Sequence, residues 1–148
     1  MVTQAQIWEW LAEVPDPEIP VLSLVELGII RGVSVADGVV VTITPTYSGC
    51  PATSIITLDI EAKLREKGVE DIVIETRISP PWTTEWIPPE AHKKLRAYGI
   101  APPQTGRPAC PRCGSPHTTL VSPFGSTPCK SHYKCADCLE PFDAFKCI

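Results

Sequence analysis

Apolar residues recur along the first hundred positions at two different periods, and each period predicts a different kind of element. Over residues 3–13, Ile7, Trp8 and Leu11, extended by Val14, fall on one face of a helix that Thr3 is placed to cap. Pro15 ends it, and Asp16-Pro17-Glu18-Ile19-Pro20 follows as an extended or turning segment. Residues 21–28 are short and apolar, a helical turn closed by Gly28. Residues 29–36 and 39–44 are rich in β-formers and are joined by Asp37-Gly38, a pair favoured in two-residue hairpins. A helical period then runs from 52 to 67, with Ile55, Ile56, Leu58, Ile60 and Leu64 as its apolar side and Gly68 as its stop. Residues 69–78 alternate as a third strand, with Ile72, Ile74, Thr76 and Ile78 on one face. After a stiff aromatic loop at 79–86, Pro88-Pro89 opens a last helix through Tyr98, ended by Gly99. The order αββαβα with an antiparallel hairpin predicts an α+β two-layer sandwich.

Beyond that point the periodicity fades. Residues 100–109 read as a proline-stiffened linker, and 110–148 as a small second domain organised by cysteine, which leaves 1–99 as the α+β domain. Cys110-Pro-Arg-Cys113 and Cys135-Ala-Asp-Cys138 are two CxxC knuckles with twenty-one residues between them, a spacing that suits one tetrahedral metal. About 40 residues hold too little core to fold unaided, so metal binding would supply much of the folding energy. Zinc is the expected metal, and an iron–sulfur cluster accepts the same four thiolates. Cys129 and Cys147 exceed one site and stand as alternative or transient ligands. His117 and His132 are spare ligand candidates, or else surface or hydrogen-bonding histidines.

Composition narrows the partners. Of the 148 residues 43% are hydrophobic and 20% charged, enough for a core, and the net charge is −4. Residues 1–100 hold fourteen acids and eight bases, whereas 101–148 hold three acids and five bases, a contrast that supports two modules. Neither half is basic enough to imply nucleic acid. No apolar run reaches the length of a membrane span, and the N-terminus has neither a basic start nor an apolar signal core, so the expected compartment is the cytoplasm. Seven cysteines in a reducing compartment point to metal or redox chemistry rather than disulfides.

The stretch with most chemistry is Thr44-Pro45-Thr46-Tyr47-Ser48-Gly49-Cys50-Pro51, between the second strand and the long helix. Pro51 suits the first helical position, which puts Cys50 at the N-cap, where unpaired N–H groups and the helix dipole favour a thiolate. The competing reading makes Cys50 a small buried hydrophobe. Asp16 and Glu18, held by three prolines, offer carboxylates for a metal or a proton, or simply cap a turn.

Taken together, Asp16-Pro17-Glu18, Leu27-Gly28-Ile29-Ile30, the Thr44 to Pro51 loop and Pro80-Pro81-Trp82 resemble the MIP18 family over roughly residues 5–98. With the tail included, from Phe124-Gly125-Ser126 to Glu140-Pro-Phe-Asp-Ala-Phe-Lys-Cys147, nearly the whole chain resembles the D-subunit family of bacterial phenylacetyl-CoA epoxidases. The resemblance implies an iron–sulfur-assembly-like domain and a maturation role for a multicomponent monooxygenase, not catalysis of the epoxidation. It implies that Cys50 is the reactive loop cysteine, with Asp16 and Glu18 beside it and Thr44, Thr46 and Trp82 lining the same cleft. It also implies the oxygenase and reductase components as partners, and iron or a transient iron–sulfur cluster as cargo at Cys50. A cluster shared by Cys50 from two copies of the chain would make the protein a homodimer. Two other classes compete. A Cys50 hydrolase or transferase would want a histidine base, and His92 is far along the chain while the other two lie in the tail. A structural adaptor would hold the monooxygenase components together without metal transfer.

Overall fold

The computed structural model describes residues 2–45 and 52–146 and is α+β throughout. The chain divides into two compact units, Met1–Trp82 and Thr83–Ile148.

The first unit opens with α1 (Gln4–Leu11), held by a capping box: Gln6 N–H donates to Thr3 Oγ1 at 3.2 Å, and Thr3 N–H to Gln6 Oε1 at 3.0 Å. Ile7 and Leu11 are fully buried. A hydrogen-bonded turn follows, in which Leu27 N–H reaches Ser23 O at 3.0 Å and Ser23 and Glu26 bond each other reciprocally at 3.1 Å. The sheet comprises β1 (Ile30–Ala36), β2 (Gly38–Ile43) and β3 (Ile72–Thr76), in that order. β1 and β2 are antiparallel, while β3 runs parallel to β2 after the crossover helix α2 (Ala52–Glu66). Val39, Val41 and Ile43 alternate into the core, as the period-two pattern requires.

Three details differ from the sequence pattern. The hairpin pairs Ala36 with Gly38, so Asp37 stands alone at its tip and Gly38 already belongs to β2. A Cβ on Gly38 would lie 3.0 Å from Asp71 Cβ, whose backbone carbonyl accepts the Val39 N–H at 2.8 Å. Glycine is therefore spent on the close approach of β2 to the residue before β3. Along α2, Ile56, Ile60 and Leu64 are buried, but Ile55 and Leu58 are 49% and 64% exposed. A helix buries one stripe about 100° wide, and the i, i+4, i+8 row took it. Ile78 is exposed as well, because β3 ends at Thr76.

The second unit begins with a 3₁₀ turn (Thr84–Trp86) and α3 (Pro89–Ala97), whose Ala91 and Leu95 are buried. Its sheet runs β4 (Ile100–Ala101), β7 (Pro141–Phe145), β6 (Lys130–Cys135), β5 (Thr118–Ser122). Ile100 and Ala101, read from the sequence as the start of the linker, pair in parallel with Asp143 and Ala144 of β7. Both are buried, so the segment is held by apolar contact as well as by the ladder. Beside the knuckles the core is a small cluster, Ala101, Cys110, Cys135, Phe142 and Ala144, with Tyr133 stacked on Phe142 at 5.9 Å between ring centroids. No helix among the described residues is long and apolar enough to cross a membrane.

Candidate metal centre and candidate cargo site

The two knuckles meet at one end of the second sheet. The Sγ atoms of Cys110, Cys113, Cys135 and Cys138 all lie within 4.8 Å of one another, with Cys110 and Cys138 at 3.7 Å and Cys113 and Cys135 at 3.5 Å. A tetrahedral ion with metal–sulfur bonds of about 2.3 Å needs sulfurs about 3.8 Å apart, so the four residues fit zinc with only small side-chain adjustments. Cys110 and Cys135 are buried, Cys113 and Cys138 exposed.

Backbone geometry explains why a CxxC turn makes good ligands. For three of the four thiols the N–H two residues on turns back to the sulfur: Ser115 onto Cys113, Asp137 onto Cys135, Glu140 onto Cys138. For the second cysteine of each knuckle this needs a left-handed residue in between. Gly114 takes φ 75° without cost, whereas Leu139 takes φ 64° against its Cβ. The four thiols do not titrate alike. The N–H of Cys138, 3.4 Å from Cys135 Sγ, is the chief influence that draws the Cys135 thiol down to about 7. Glu140 N–H pulls Cys138 the same way, but burial and the three neighbouring thiols outweigh it and push Cys138 up to about 12. Cys113 is likewise raised, the Cys135 thiol and burial overcoming the Ser115 N–H. Crowded thiols share protons until a cation takes their place, which is the behaviour of a metal site.

Cys129 is not a member. It sits buried just before β6, six positions from Cys135, or about 20 Å along an extended strand. Its Sγ lies 3.0 Å from Thr127 Oγ1. Cys147 lies outside the described residues. His117 and His132 are not in the cluster either; their Nδ1 atoms face Asp137 at 3.0 Å and Asp143 at 3.1 Å.

In the first unit, three of the residues expected around the reactive loop, Asp16, Thr44 and Trp82, are bonded to the segment at 14–29. Asp16, 5% exposed, accepts the N–H groups of Glu18 at 2.9 Å and Ile19 at 2.8 Å on Oδ2, and its own N–H donates to Leu22 O at 2.9 Å. The carboxylate thus closes an Asx-type turn. Glu18, next along, is half-buried. Trp82, 3% exposed, donates Nε1–H to Leu27 O at 2.8 Å. Thr44, 2% exposed, donates its N–H to Ile29 O at 2.8 Å, and Ile29 N–H reaches Leu24 O at 3.1 Å. Asp16, Thr44 and Trp82 are therefore all bonded to one short buried segment, at the end of β2 from which the Thr44 to Pro51 loop departs. Cys50 and Thr46 lie outside the described residues. Sequence reasoning met Leu27 and Ile29 only as part of a motif and gave them no task; they act through their carbonyls, a role any residue can fill and no side-chain pattern reveals.

Fold and site define the class of protein. Residues 4–74 match the iron–sulfur cluster assembly protein family, and residues 101–146 match the PaaD zinc beta ribbon domain. The chain belongs to the iron–sulfur cluster assembly family, the MIP18 group, in a form that carries this zinc ribbon behind it. It is 46% identical, over 97% of its own length and 92% of the relative's, to an Escherichia coli (strain K12) protein named as the D subunit of a putative 1,2-phenylacetyl-CoA epoxidase. It is also 40% identical to an Fe-S protein maturation auxiliary factor of Porphyromonas gingivalis, over 63% of this chain and 90% of that one. Among solved structures, a DUF59 domain from Bacillus anthracis is similar at 28% identity and a TM-score of 0.58, over 62% of this chain and 90% of that one. A conserved hypothetical protein from Thermotoga maritima is similar at 32% identity and a TM-score of 0.55, over 64% of this chain and 94% of its own.

Proposed function

We propose that the protein is a maturation factor for a multicomponent phenylacetyl-CoA epoxidase, handling iron or iron–sulfur cargo for its oxygenase or reductase component. The observation that carries this reading is the pairing, in one chain, of an assembly-family domain with the PaaD-type ribbon, alongside a likeness to the epoxidase relative over nearly the whole length. In this reading Cys50 is the cargo-facing thiolate, and Glu18 supplies a carboxylate close by. Asp16, Thr44 and Trp82 hold the 14–29 turn against the start of the loop, so that Asp16 acts first through the backbone it fixes. The ribbon keeps its own zinc and serves as a recognition module. A handler of this kind binds its cargo weakly and releases it to the client, and it accelerates no chemical step of the epoxidation.

A second reading, a structural adaptor that stays with the complex, is favoured by the relative's being named as part of the epoxidase itself. Co-expression of the epoxidase components with wild-type or Cys50→Ala protein, followed by iron counting in each purified component, separates the two. Loss of client iron in a complex that still assembles supports maturation. Full iron content and full epoxidase activity with Cys50→Ala leave the adaptor.

A further inference from the structure

Outside the four thiols, a second set of polar groups joins the same two knuckles. Asp137 lies between the ligands Cys135 and Cys138, and its Oδ2 accepts hydrogen bonds from the Ser115 hydroxyl and from His117 Nδ1–H, the latter at 3.0 Å. Ser115 and His117 both follow the first knuckle. Ser115 Oγ also accepts the His117 N–H at 3.0 Å, which fixes the hydroxyl proton toward Asp137. The backbone repeats the link, with Ala136 N–H donating to His117 O at 2.8 Å, while Cys110 N–H donates to Ser115 O at 2.9 Å and so ties Ser115 back onto the first knuckle itself. The carboxylate and amide of Asp137 point to different tasks. The carboxylate is anchored on the first knuckle, while the amide N–H faces Cys135 Sγ.

We infer that Ser115, Asp137 and His117 are positioning residues of the metal centre, whose bonds across the knuckles set how firmly the ribbon retains its ion. The physical reason is preorganisation. A thiolate cage tightens when its sulfurs and the N–H groups facing them are already in place, and partners outside the ligand shell do that placing. Asp137 couples the two halves directly, since one residue is bonded to the first knuckle through its carboxylate and to Cys135 through its amide. His117 is mostly exposed, with 70% of its side chain accessible, so its share is carried by the hydrogen bond and not by burial. The effect belongs to retention of the ribbon's ion and is independent of whether Cys50 handles cargo.

The test uses the full-length zinc-loaded chain and excess chelator, reading zinc release, with the cobalt(II) form as a check on the ligands. Asp137→Ala, which removes the acceptor for both donors, is expected to release zinc roughly 10-fold to 100-fold faster, while its cobalt form at saturation keeps the four-thiolate tetrahedral spectrum. Ser115→Ala and His117→Leu should each act in the same direction, and His117→Gln, which keeps an N–H donor, should release more slowly than His117→Leu. Release within about twofold of wild type for Asp137→Ala would overturn the inference. So would equal rates for His117→Gln and His117→Leu, because the donor would then be irrelevant. If Asp137→Ala fails to assemble the cobalt site at all, the His117 pair decides, since neither variant alters the cage.

Discussion

Replacing Gly125 by Ala probes the end of the ribbon opposite the metal. A Cβ there would lie 2.7 Å from Oδ1 and 3.1 Å from Cγ of Asp143, closer than such atoms approach, so the carboxylate has to move. It is not loosely held. Oδ1 lies 3.1 Å from His132 Nδ1, and Oδ2 accepts the Ser126 hydroxyl at 2.7 Å and the Ser126 N–H at 3.4 Å. Displacing it breaks at least the two shorter bonds, each worth about 1 kcal/mol net and less where solvent replaces the partner. One term opposes this loss. Gly125 does not occupy the left-handed region, so alanine is tolerated by the backbone and stabilises by about 0.4–1 kcal/mol through the unfolded state. The net expectation is a loss of about 1 kcal/mol, the steric conflict winning. In an Asp143→Ala background both the conflict and the bonds are gone, and the same Gly125→Ala change should become neutral or mildly stabilising. Denaturant titration of cobalt-loaded protein, followed at the thiolate-to-cobalt absorption, reports unfolding of the ribbon alone. Equal destabilisation in both backgrounds would refute the reasoning, because the carboxylate would then not be what the methyl group meets.

Four further outcomes are expected. Removing the metal at neutral pH should abolish hydrogen-exchange protection in β5 to β7 while leaving β1 to β3 protected; persistence of the former would mean that the small core suffices alone. Cys113 and Cys138 are raised and hold protons that an ion must displace, so the bound state carries fewer protons and affinity rises with pH, by about tenfold per unit for each proton. The two together predict at least about a hundredfold between pH 7 and 8, and below neutrality Cys135, at about 7, adds a further proton; a pH-independent affinity would contradict the proton sharing. Leu139→Gly should stabilise the ribbon by roughly 0.5–1 kcal/mol, since relief of the left-handed strain exceeds the extra chain entropy of glycine, and a fall in its cobalt-monitored midpoint would count against that. Asp16→Asn keeps an acceptor for Glu18 and Ile19 N–H and should cost under about 1 kcal/mol in urea unfolding, whereas Asp16→Ala should cost about 2 kcal/mol; equal losses would show that the turn does not depend on the acceptor.

What could be read from the chain alone was whatever is decided within a few residues. Each CxxC knuckle is a local turn whose amides face its own thiols, so the clustering of the four cysteines was legible from spacing, and capping by Thr3 and the arrest of α2 at Gly68 were legible for the same reason. Tertiary packing decided the rest. The apolar residues of α2 offered overlapping stripes, and only its seat in the first unit chose Ile56, Ile60 and Leu64 over Ile55 and Leu58. Alternation along residues 69–78 marked a strand but could not say that it would lie parallel to β2, because direction is set by the crossover. Ile100 and Ala101 looked like linker because two residues carry no period, yet a β7 edge about forty residues on made them a strand. Cys129 matched the knuckle cysteines in type and was removed from the site by distance along β6. Asp137 and Ser115 gave no signal of their own, since a carboxylate and a hydroxyl become a link between knuckles only after the thiols have brought those knuckles together.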